Sequence, residues 1–419
     1  MTPGMPRIAF YSYDEQGLGH VRRSIAIAHA ISGASRDSIL LIAGAREASL
    51  FQLPPGTDTL ALPAPGTDFN GRRRQPSLGL DVAGTVRMRA RTLRAALAAY
   101  EPDVLVVDGL LLGSHDDLSE SLPVLRAMGT RLVLGMREVL DDPAYVRAEW
   151  ERSGTIAVLR RSYDAIWVYG DPRVFDPAVE YDLPDDLRAM VRYTGYLDRH
   201  AADGAHAPDP AARRRELGLP DGRLALCLLG GGEDGVQLAT AFARADLPAG
   251  ASGAIVTGPF MADAERAALR ELAASRADLR VLDFVPDAHE LVALADDVVA
   301  MGGYNTVCEI LASDARALLV PRAEPRREQL IRAQRLRALG AIDMLAPHDA
   351  VPEAISAWLA AGGMRRTAPA EPIDMDGLRR VPALLDEVLA SPAAREAPAP
   401  TRRFRRPAPD QAACRSLSR

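Results

Sequence analysis

Lysine is absent from the 419-residue sequence, in which all 50 basic residues are arginine and 56 residues are acidic. The formal net charge of −6 provides no global basic field of the kind that indicates nucleic-acid binding. Cysteine is scarce too: Cys227, Cys308 and Cys414 lie far apart, without the spacing of a metal site or a disulfide framework. We therefore expect no nucleic-acid partner, no cysteine-bound metal and a reducing compartment.

Long hydrophobic runs are also missing. No stretch approaches the ~20 uninterrupted apolar residues needed to span a bilayer, and the N-terminus lacks the basic and apolar regions of a signal peptide. We expect a cytoplasmic protein, which leaves peripheral contact with the inner face of the membrane open. Residues 391–419 are rich in Pro, Ala and Arg without apolar periodicity. This composition indicates a disordered basic tail or, alternatively, a segment that docks on an anionic surface.

Short apolar runs alternate with amphipathic segments along the rest of the chain. The predicted strands are residues 8–11, 38–42, 104–107, 132–134 and 165–168, then 224–229, 253–256, 280–282, 298–300 and 317–320. Helices are predicted between them at 21–31, 82–99, 145–160, 237–244, 264–274, 306–312 and 327–339. The alternation predicts an α/β protein with two doubly wound parallel sheets. Glycine, proline and polar residues at 195–210 mark the boundary between an N-terminal domain, 1–194, and a C-terminal domain, 195–390.

The loop after the first predicted strand contains Gly17, Gly19 and His20. Ligands of open parallel sheets bind beyond the carboxyl ends of strands, so such loops are candidate sites. A dinucleotide-binding loop would have a third glycine where Arg22 stands, which disfavours NAD. His20 lies in the first turn of a helix, where the helix dipole favours the neutral imidazole that a general base requires. A helix-capping role is the alternative.

Two further strand ends of the first half carry charged residues. Asp108 follows the strand at 104–107, and its carboxylate could orient His20 by accepting a hydrogen bond from the imidazole ring. Arg137 and Glu138 follow the next predicted strand, where they could contact a substrate or pair with each other.

Glycine-rich loops follow the strands of the second half. Gly230, Gly231 and Gly232 offer bare backbone N–H groups to an anion, without the Gly-Lys-Ser/Thr ending of a Walker loop. Residues 301–309 place two glycines before a helix that Asn305 or Thr306 could cap, and the polar loop 321–329 leads into another helix. Together these loops predict a cradle for a nucleotide diphosphate.

This set of motifs resembles the GT-B superfamily of glycosyltransferases, and most closely its MurG-like group with the family 28 type of C-terminal domain. The resemblance covers residues 6–390 and depends on the order of five segments: Gly17-x-Gly19-His20, 230–232, 283–285, 302–309 and Glu328-Gln329. It implies two Rossmann-like domains that face a cleft, with the acceptor on the N-terminal domain. It also implies a final helix near 377–389 that crosses back onto that domain.

The resemblance implies roles for individual residues. The nucleotide-sugar donor, usually a UDP-sugar, would be held by the base-contacting Phe284 and Val285, the glycines Gly231 and Gly232, the diphosphate-binding Gly302, Gly303, Tyr304, Asn305 and Thr306, the ribose-binding Glu309, and the sugar-binding Glu328 and Gln329. By the same resemblance His20 would be catalytic, and Gly17 and Gly19 would lie on the acceptor side. Asp108 and Arg137 join them because of their places at strand ends, Asp108 as a second candidate catalytic residue and Arg137 as a candidate acceptor-side residue.

The resulting expectation is an inverting glycosyltransferase that uses His20 as base. No metal or other cofactor is expected, because the nucleotide sugar is a co-substrate and Asp374 and Asp376 are better explained as helix-capping residues than as a metal site. The acceptor could be a glycan, a lipid-linked molecule or a small molecule. Lipid II-forming members of the group have Gln-Gln where this chain has Glu328-Gln329, so their donor sugar and acceptor are not carried over.

Other functions remain open at this stage. A nucleotide-sugar hydrolase on the same fold is suggested by the Gly-His-x-x-Arg pattern that ends at Arg23, and a sugar-nucleotide- or glycan-binding protein without turnover would keep the glycine loops. A sugar-nucleotide epimerase is disfavoured because its additional catalytic carboxylates have no match. The arginines at 72–74, 87, 89, 91 and 94 indicate either a solvated face or a contact with an acidic glycan or a lipid phosphate.

Overall fold

The computed structural model describes residues 5–13, 19–32, 38–44, 51–63, 78–199, 209–232, 234–283, 285, 288–362 and 371–391. Predictions for Gly17, Phe284, the arginines at 72–74 and the tail after residue 391 lie outside these ranges. In the described ranges the chain forms two parallel sheets with helices on their faces, as predicted.

The N-terminal sheet has seven strands in the order β3-β2-β1-β4-β5-β6-β7, all parallel. They are β1 Arg7–Ser12, β2 Ser38–Ala43, β3 Thr57–Ala61, β4 Val104–Asp108, β5 Arg131–Arg137, β6 Ala165–Tyr169 and β7 Val191–Tyr193. The helices are α1 Gly19–Ile31, α2 Val82–Tyr100, α3 Ser121–Met128, α4 Pro143–Ser153, α5 Thr155–Ser162, α6 Pro177–Glu180 and α7 Asp185–Arg188.

The C-terminal sheet has six parallel strands in the order β10-β9-β8-β11-β12-β13. They are β8 Leu224–Leu228, β9 Ser252–Val256, β10 Leu279–Leu282, β11 Asp297–Ala300, β12 Arg316–Leu319 and β13 Asp343–Met344. The helices are α8 Pro210–Glu216, α9 Val236–Arg244, α10 Asp263–Ala274, α11 Ala288–Leu294, α12 Tyr304–Leu311, α13 Glu328–Ala338, α14 Pro352–Ala360 and α15 Gly377–Ala390.

The central strands are buried on both faces, which explains their continuous apolar sequences. Every residue of β4, β6, β8 and β9 is buried, as parallel sheets covered by helices require. Sequence periodicity missed β3, β7 and β13, which are short or partly exposed. The single helix predicted at 145–160 is two helices, because Gly154 adopts a left-handed conformation (φ 65°) and ends the first of them.

The last helix, α15, contacts the N-terminal domain. This helix packs against α1 of the N-terminal domain. The Arg192 guanidinium lies 3.3 Å from the Glu387 carboxylate on α15. The last helix therefore ties the C-terminal end of the described chain to the first domain.

The basic helix α2 differs from its predicted form. Arg87, Arg91 and Arg94 are exposed, whereas Arg89 is fully buried and donates to Asp117 Oδ2 at 2.7 Å. The expectation of a shared arginine face is therefore wrong for Arg89, whose position on the buried side of the helix gives it a structural ion pair. No helix in the described ranges is long and apolar enough to cross a membrane.

Candidate functional site

A cavity of about 340 Å³ lies where the carboxyl edges of the two sheets face each other. The N-terminal domain contributes Tyr13, His20 and Arg137 to its lining. The C-terminal domain contributes four segments that follow strands, with the lining residues Leu228, Leu229, Gly230, Gly231, Gly232, Asp234, Phe260, Met301, Gly302, Gly303, Thr306, Arg322, Pro325, Arg326, Glu328 and Gln329. Both halves of the chain thus meet at one site.

His20 is presented to the cavity by the first turn of α1, with its side chain 20% exposed. Its ring lies against Gly109, which follows β4 with φ +91°, and a Cβ at that position would be 2.9 Å from His20 Cε1. The Tyr13 ring is 5.3 Å from the imidazole on the cavity side. Glycine at position 109 is therefore needed both for the backbone conformation and for the placement of the imidazole.

Asp108 lies behind His20 and does not line the cavity. Its Oδ2 is 3.3 Å from His20 Nδ1, so the expected His20–Asp108 contact is present in the structure. The same carboxylate is also held by Arg23, whose Nε and Nη2 donate to it at 2.9–3.2 Å. Arg23 packs against the rings of Tyr169 and Tyr304 at 5.4 and 5.2 Å. Asp108 and Arg23 together form a buried support for the histidine.

The surroundings of His20 favour its neutral form. Burial lowers the pKa of the imidazole below 6.5, Asp108 partly opposes this, and Arg23 and Arg137 lower it further. For Asp108, burial alone would raise the pKa, but the charges of Arg23 and His20 outweigh it and hold the pKa below its usual value. The site therefore pairs an ionised carboxylate with a neutral imidazole near pH 7.

Nδ1 of His20 has two competing partners. Arg23 Nη2 lies 2.9 Å away and could donate to it, whereas Asp108 could accept a proton from it. Only the second arrangement leaves Nε2 unprotonated and able to take a proton from a substrate. Once Nε2 is protonated, Nδ1 must carry its proton as well, and Asp108 then stabilises the imidazolium.

The glycine loops form the opposite wall. Gly302 has φ +92°, and Gly303 is the N-cap of α12, where no side chain caps the helix. A Cβ on Gly303 would meet nothing within 4 Å, so the backbone is open on that side. An uncapped helix N-terminus beside bare glycine amides can bind an anion such as a phosphate. The expectation that Asn305 or Thr306 caps this helix is therefore wrong.

Three residues predicted for the donor point elsewhere. Asn305 Nδ2 donates to the Gly19 carbonyl at 3.1 Å, across the two domains. The buried Glu309 lies 3.3 Å from Arg22 Nη2, and Tyr304 is buried against Arg23 and Arg332. These side chains hold the domains together outside the cavity lining. Val285 was also expected to contact the donor, and it too lies outside the lining, buried in the core.

Glu328 and Gln329 do line the cavity, at the start of α13. Arg322 Nη2 is 2.6 Å from Glu328 Oε1, and the other Glu328 oxygen is buried without a hydrogen-bond partner among the described residues. Gln329 Oε1 accepts from the Arg322 backbone N–H at 3.1 Å. Burial alone would raise the pKa of Glu328, but Arg322, Arg137 and Arg332 together hold it below its usual value. Glu328 is thus ionised and has one oxygen available for a donor group.

Several lining residues were missed by the sequence reasoning. Tyr13 directly follows β1 and Arg322 closely follows β12, so the rule that sites lie beyond strand ends could have identified both. Phe260 and Asp234 lie farther into their loops, where sequence alone offers no signal. Within the described part of the chain, no cluster of three or more His, Cys, Asp or Glu residues could hold a metal ion.

Comparison with known proteins supports this description. Residues 255–387 match the model of the glycosyltransferase family 28 C-terminal domain. An 81-residue segment is 33% identical to the UDP-N-acetylglucosamine–N-acetylmuramyl-(pentapeptide) pyrophosphoryl-undecaprenol N-acetylglucosamine transferase of Haemophilus influenzae. That segment spans only 19% of this chain and 23% of the relative.

Solved structures resemble nearly the whole chain. MurG of Acinetobacter baumannii aligns over 91% of this chain and 99% of its own, with a TM-score of 0.55 and 16% identity. The UDP-GlcNAc 2-epimerase of Neisseria meningitidis, bound to UDP-GlcNAc, aligns over 91% and 98%, with a TM-score of 0.54 and 11% identity. At these identities the likeness establishes the fold. The chain therefore has the GT-B fold, and its residues 255–387 resemble the C-terminal domain of glycosyltransferase family 28.

Proposed function

We propose that the protein is a glycosyltransferase that moves a sugar from a nucleotide-diphosphate donor, in the first instance a UDP-sugar, to an acceptor hydroxyl. One observation carries the proposal: a neutral, supported imidazole and an uncapped helix N-terminus with glycine loops line the same cavity from opposite domains. The first is suited to deprotonating an acceptor and the second to receiving a diphosphate leaving group.

In the proposed reaction, His20 Nε2 removes the proton of the acceptor hydroxyl as its oxygen attacks the anomeric carbon. The bond from that carbon to the diphosphate oxygen breaks on the opposite face, so the configuration inverts. The diphosphate charge is received by the N–H groups near Gly302 and Gly303 and of the 230–232 loop. No metal is assigned a role, because backbone dipoles supply the compensating charge.

Ligand-induced thermal stabilisation tests the donor. Binding at ~100 Kd adds about 2.7 kcal/mol to the free energy of unfolding, which raises the melting temperature measurably. We expect a shift with UDP and a larger one with a particular UDP-sugar. No shift with any nucleotide diphosphate or nucleotide sugar would contradict the proposal.

The catalytic role is tested by His20→Ala, which should lower turnover by ~10²–10⁴-fold while UDP still binds. His29→Ala is the matched control, because His29 lies on the same helix but outside the cavity lining. Near-normal turnover of the His20 variant would contradict the base assignment.

Nucleotide-sugar hydrolysis is the second candidate, favoured by the observation that Arg23 of the Gly-His-x-x-Arg pattern contacts His20. Water would then take the place of the acceptor. Release of UDP from a UDP-sugar at an undiminished rate without any acceptor would favour hydrolysis, whereas acceptor-dependent release would favour transfer.

A further inference from the structure

Arg137 differs from Arg322, the other partly buried arginine of the cavity lining, because none of the described residues provides it with a counter-ion. It ends β5 at the carboxyl edge of the N-terminal sheet and lines the cavity. In the ranges that the structure describes, its guanidinium makes no hydrogen bond or ion pair with another residue. The alternative considered from the sequence, a pair with Glu138, is not formed.

The carboxylates around Arg137 are already bound to other arginines. Glu138 Oε1 accepts from Arg332 Nε at 2.6 Å and from the Tyr196 hydroxyl at 2.9 Å. Glu328 is bound to Arg322 at 2.6 Å. Arg137 is thus a surplus cation rather than half of a distorted pair.

The electrostatic setting makes this cation unusual. Burial lowers the pKa of Arg137 below that of an ordinary arginine, and the positive charges of Arg23 and Arg332 lower it further. A partly buried guanidinium next to two others is costly without an anion. Such a group is retained most readily where a ligand supplies the missing negative charge, and a guanidinium binds carboxylate or phosphate through two parallel hydrogen bonds.

The position of Arg137 indicates which part of the substrate it meets. It projects from the N-terminal domain, on the side proposed for the acceptor. Across the cavity, Glu328 is close enough to influence its pKa, and Glu328 begins the helix proposed to meet the donor sugar. Arg137 therefore faces the junction of acceptor and transferred sugar, whereas the glycine loops face the diphosphate.

We propose that Arg137 binds an anionic group, a carboxylate or a phosphate, carried by the acceptor or by the sugar that is transferred. The assignment rests on the proposed function and narrows it to acidic substrates. It makes Arg137 a residue that determines specificity and leaves the base role with His20.

Calorimetric titration of the full chain distinguishes the two sources of the anion. UDP, UDP-glucose and UDP-glucuronate are titrated first, because the last two differ only in the carboxylate of the sugar. Glucuronate and inorganic phosphate are then titrated into the protein saturated with UDP, as probes of the acceptor side. The variants are Arg137→Met, Arg137→Lys, which keeps the charge but not the two-pronged geometry, and Arg215→Met, a matched loss of one exposed arginine outside the lining.

We expect Arg137→Met to bind UDP and UDP-glucose as the wild type does, within about twofold. It should lose about 10- to 100-fold in affinity for UDP-glucuronate if the sugar carries the anion, or for glucuronate or phosphate if the acceptor does. Arg137→Lys should lose less, and Arg215→Met should lose nothing.

Three outcomes would overturn the assignment. Equal losses for UDP and UDP-glucose in Arg137→Met would place Arg137 at the diphosphate. A wild type that binds nucleotides, binds UDP-glucuronate no more tightly than UDP-glucose and binds neither glucuronate nor phosphate would show that Arg137 does not bind an acidic substrate. A wild type that binds no nucleotide at all would contradict the proposed function itself, so the two failures are distinguishable.

Discussion

The buried ion pair between Glu138 and Arg332 offers a sharp test of what holds the two domains together. Glu138 follows β5 of the N-terminal domain, and Arg332 lies on α13 of the C-terminal domain. Both side chains are fully buried, with Arg332 Nε 2.6 Å from Glu138 Oε1. Arg332 Nη1 also donates to the Gly302 carbonyl at 3.3 Å, which connects this pair to the glycine turn of the cavity.

Glu138→Gln keeps the size of the side chain but leaves Arg332 as an uncompensated buried charge. Burial alone would lower the pKa of Arg332, and Glu138 is the main group that keeps it above the usual value. Removing one partner of a buried pair typically costs 3–5 kcal/mol. We therefore expect the free energy of unfolding to fall by about 3–5 kcal/mol.

A second pair across the same two domains provides a matched control. Arg335, one helical turn from Arg332, lies 2.6 Å from Glu180, but these side chains are 49% and 30% exposed. Because exposed pairs contribute only about 0–1 kcal/mol, Glu180→Gln should be nearly neutral. The N···O distance is 2.6 Å in both pairs, so the two pairs differ in burial and not in this distance.

Urea denaturation, followed by fluorescence and circular dichroism, measures both variants against the wild type. If the two domains unfold in separate transitions, Glu138→Gln should increase the separation between their midpoints, because the lost contact lies between the domains. Equal, small effects of the two substitutions would refute the reasoning, since burial would then not determine the strength of the pair.

Three further predictions concern the cavity and the surface. Under the proposed role of His20 as base, turnover should fall on the acid side with an apparent pKa below 6.5, because a base must be neutral to accept a proton and burial depresses the pKa of His20. A pH–rate profile with its acid limb above 6.5 would contradict this. Gly109→Ala should lower turnover by about 10²-fold, because the added Cβ displaces the His20 ring. Gly129→Ala is the control: Gly129 also has a positive φ (+88°), but nothing lies within 4 Å of the added Cβ, so turnover should not fall. Equal turnover in the two variants would contradict the ring contact. The protein should co-sediment with vesicles that contain anionic lipid, in a salt-sensitive manner. Replacing Leu80 and Met88, which are exposed, with Gln should weaken that binding. No binding at low salt would contradict a membrane contact at α2.

The architecture was predictable because burial leaves a clear pattern in the sequence. Strands such as β6 and β8 are apolar throughout, since helices cover both faces of a parallel sheet. The edge strands β3 and β13 lack that signal, because they are short and incompletely covered. The strand order and the packing of α15 on α1 depend on contacts between residues far apart in the sequence, which periodicity does not report.

The loops of the site were predictable, but the directions of their side chains were not. His20, Gly303 and Glu328 line the cavity, as their places beyond strand ends indicate. Glu309 follows the same logic in the sequence, yet its carboxylate is held by Arg22, which is 287 positions away. Nothing local to residues 301–309 specifies that partner, because it is brought there by the docking of two domains.

The fold alone does not choose between sugar transfer and other nucleotide-sugar reactions, since a transferase and a 2-epimerase resemble it almost equally. The choice depends on the number of groups that can move a proton. Epimerisation removes a proton from carbon on one face of the sugar and returns it on the other, which calls for acid–base groups on both sides. Among the described lining residues, the carboxylates Asp234 and Glu328 are both bound to Arg322, and His20 is the one imidazole. A single base is sufficient when one hydroxyl loses one proton and a diphosphate leaves, and for this reason we propose transfer to an acceptor or to water rather than epimerisation.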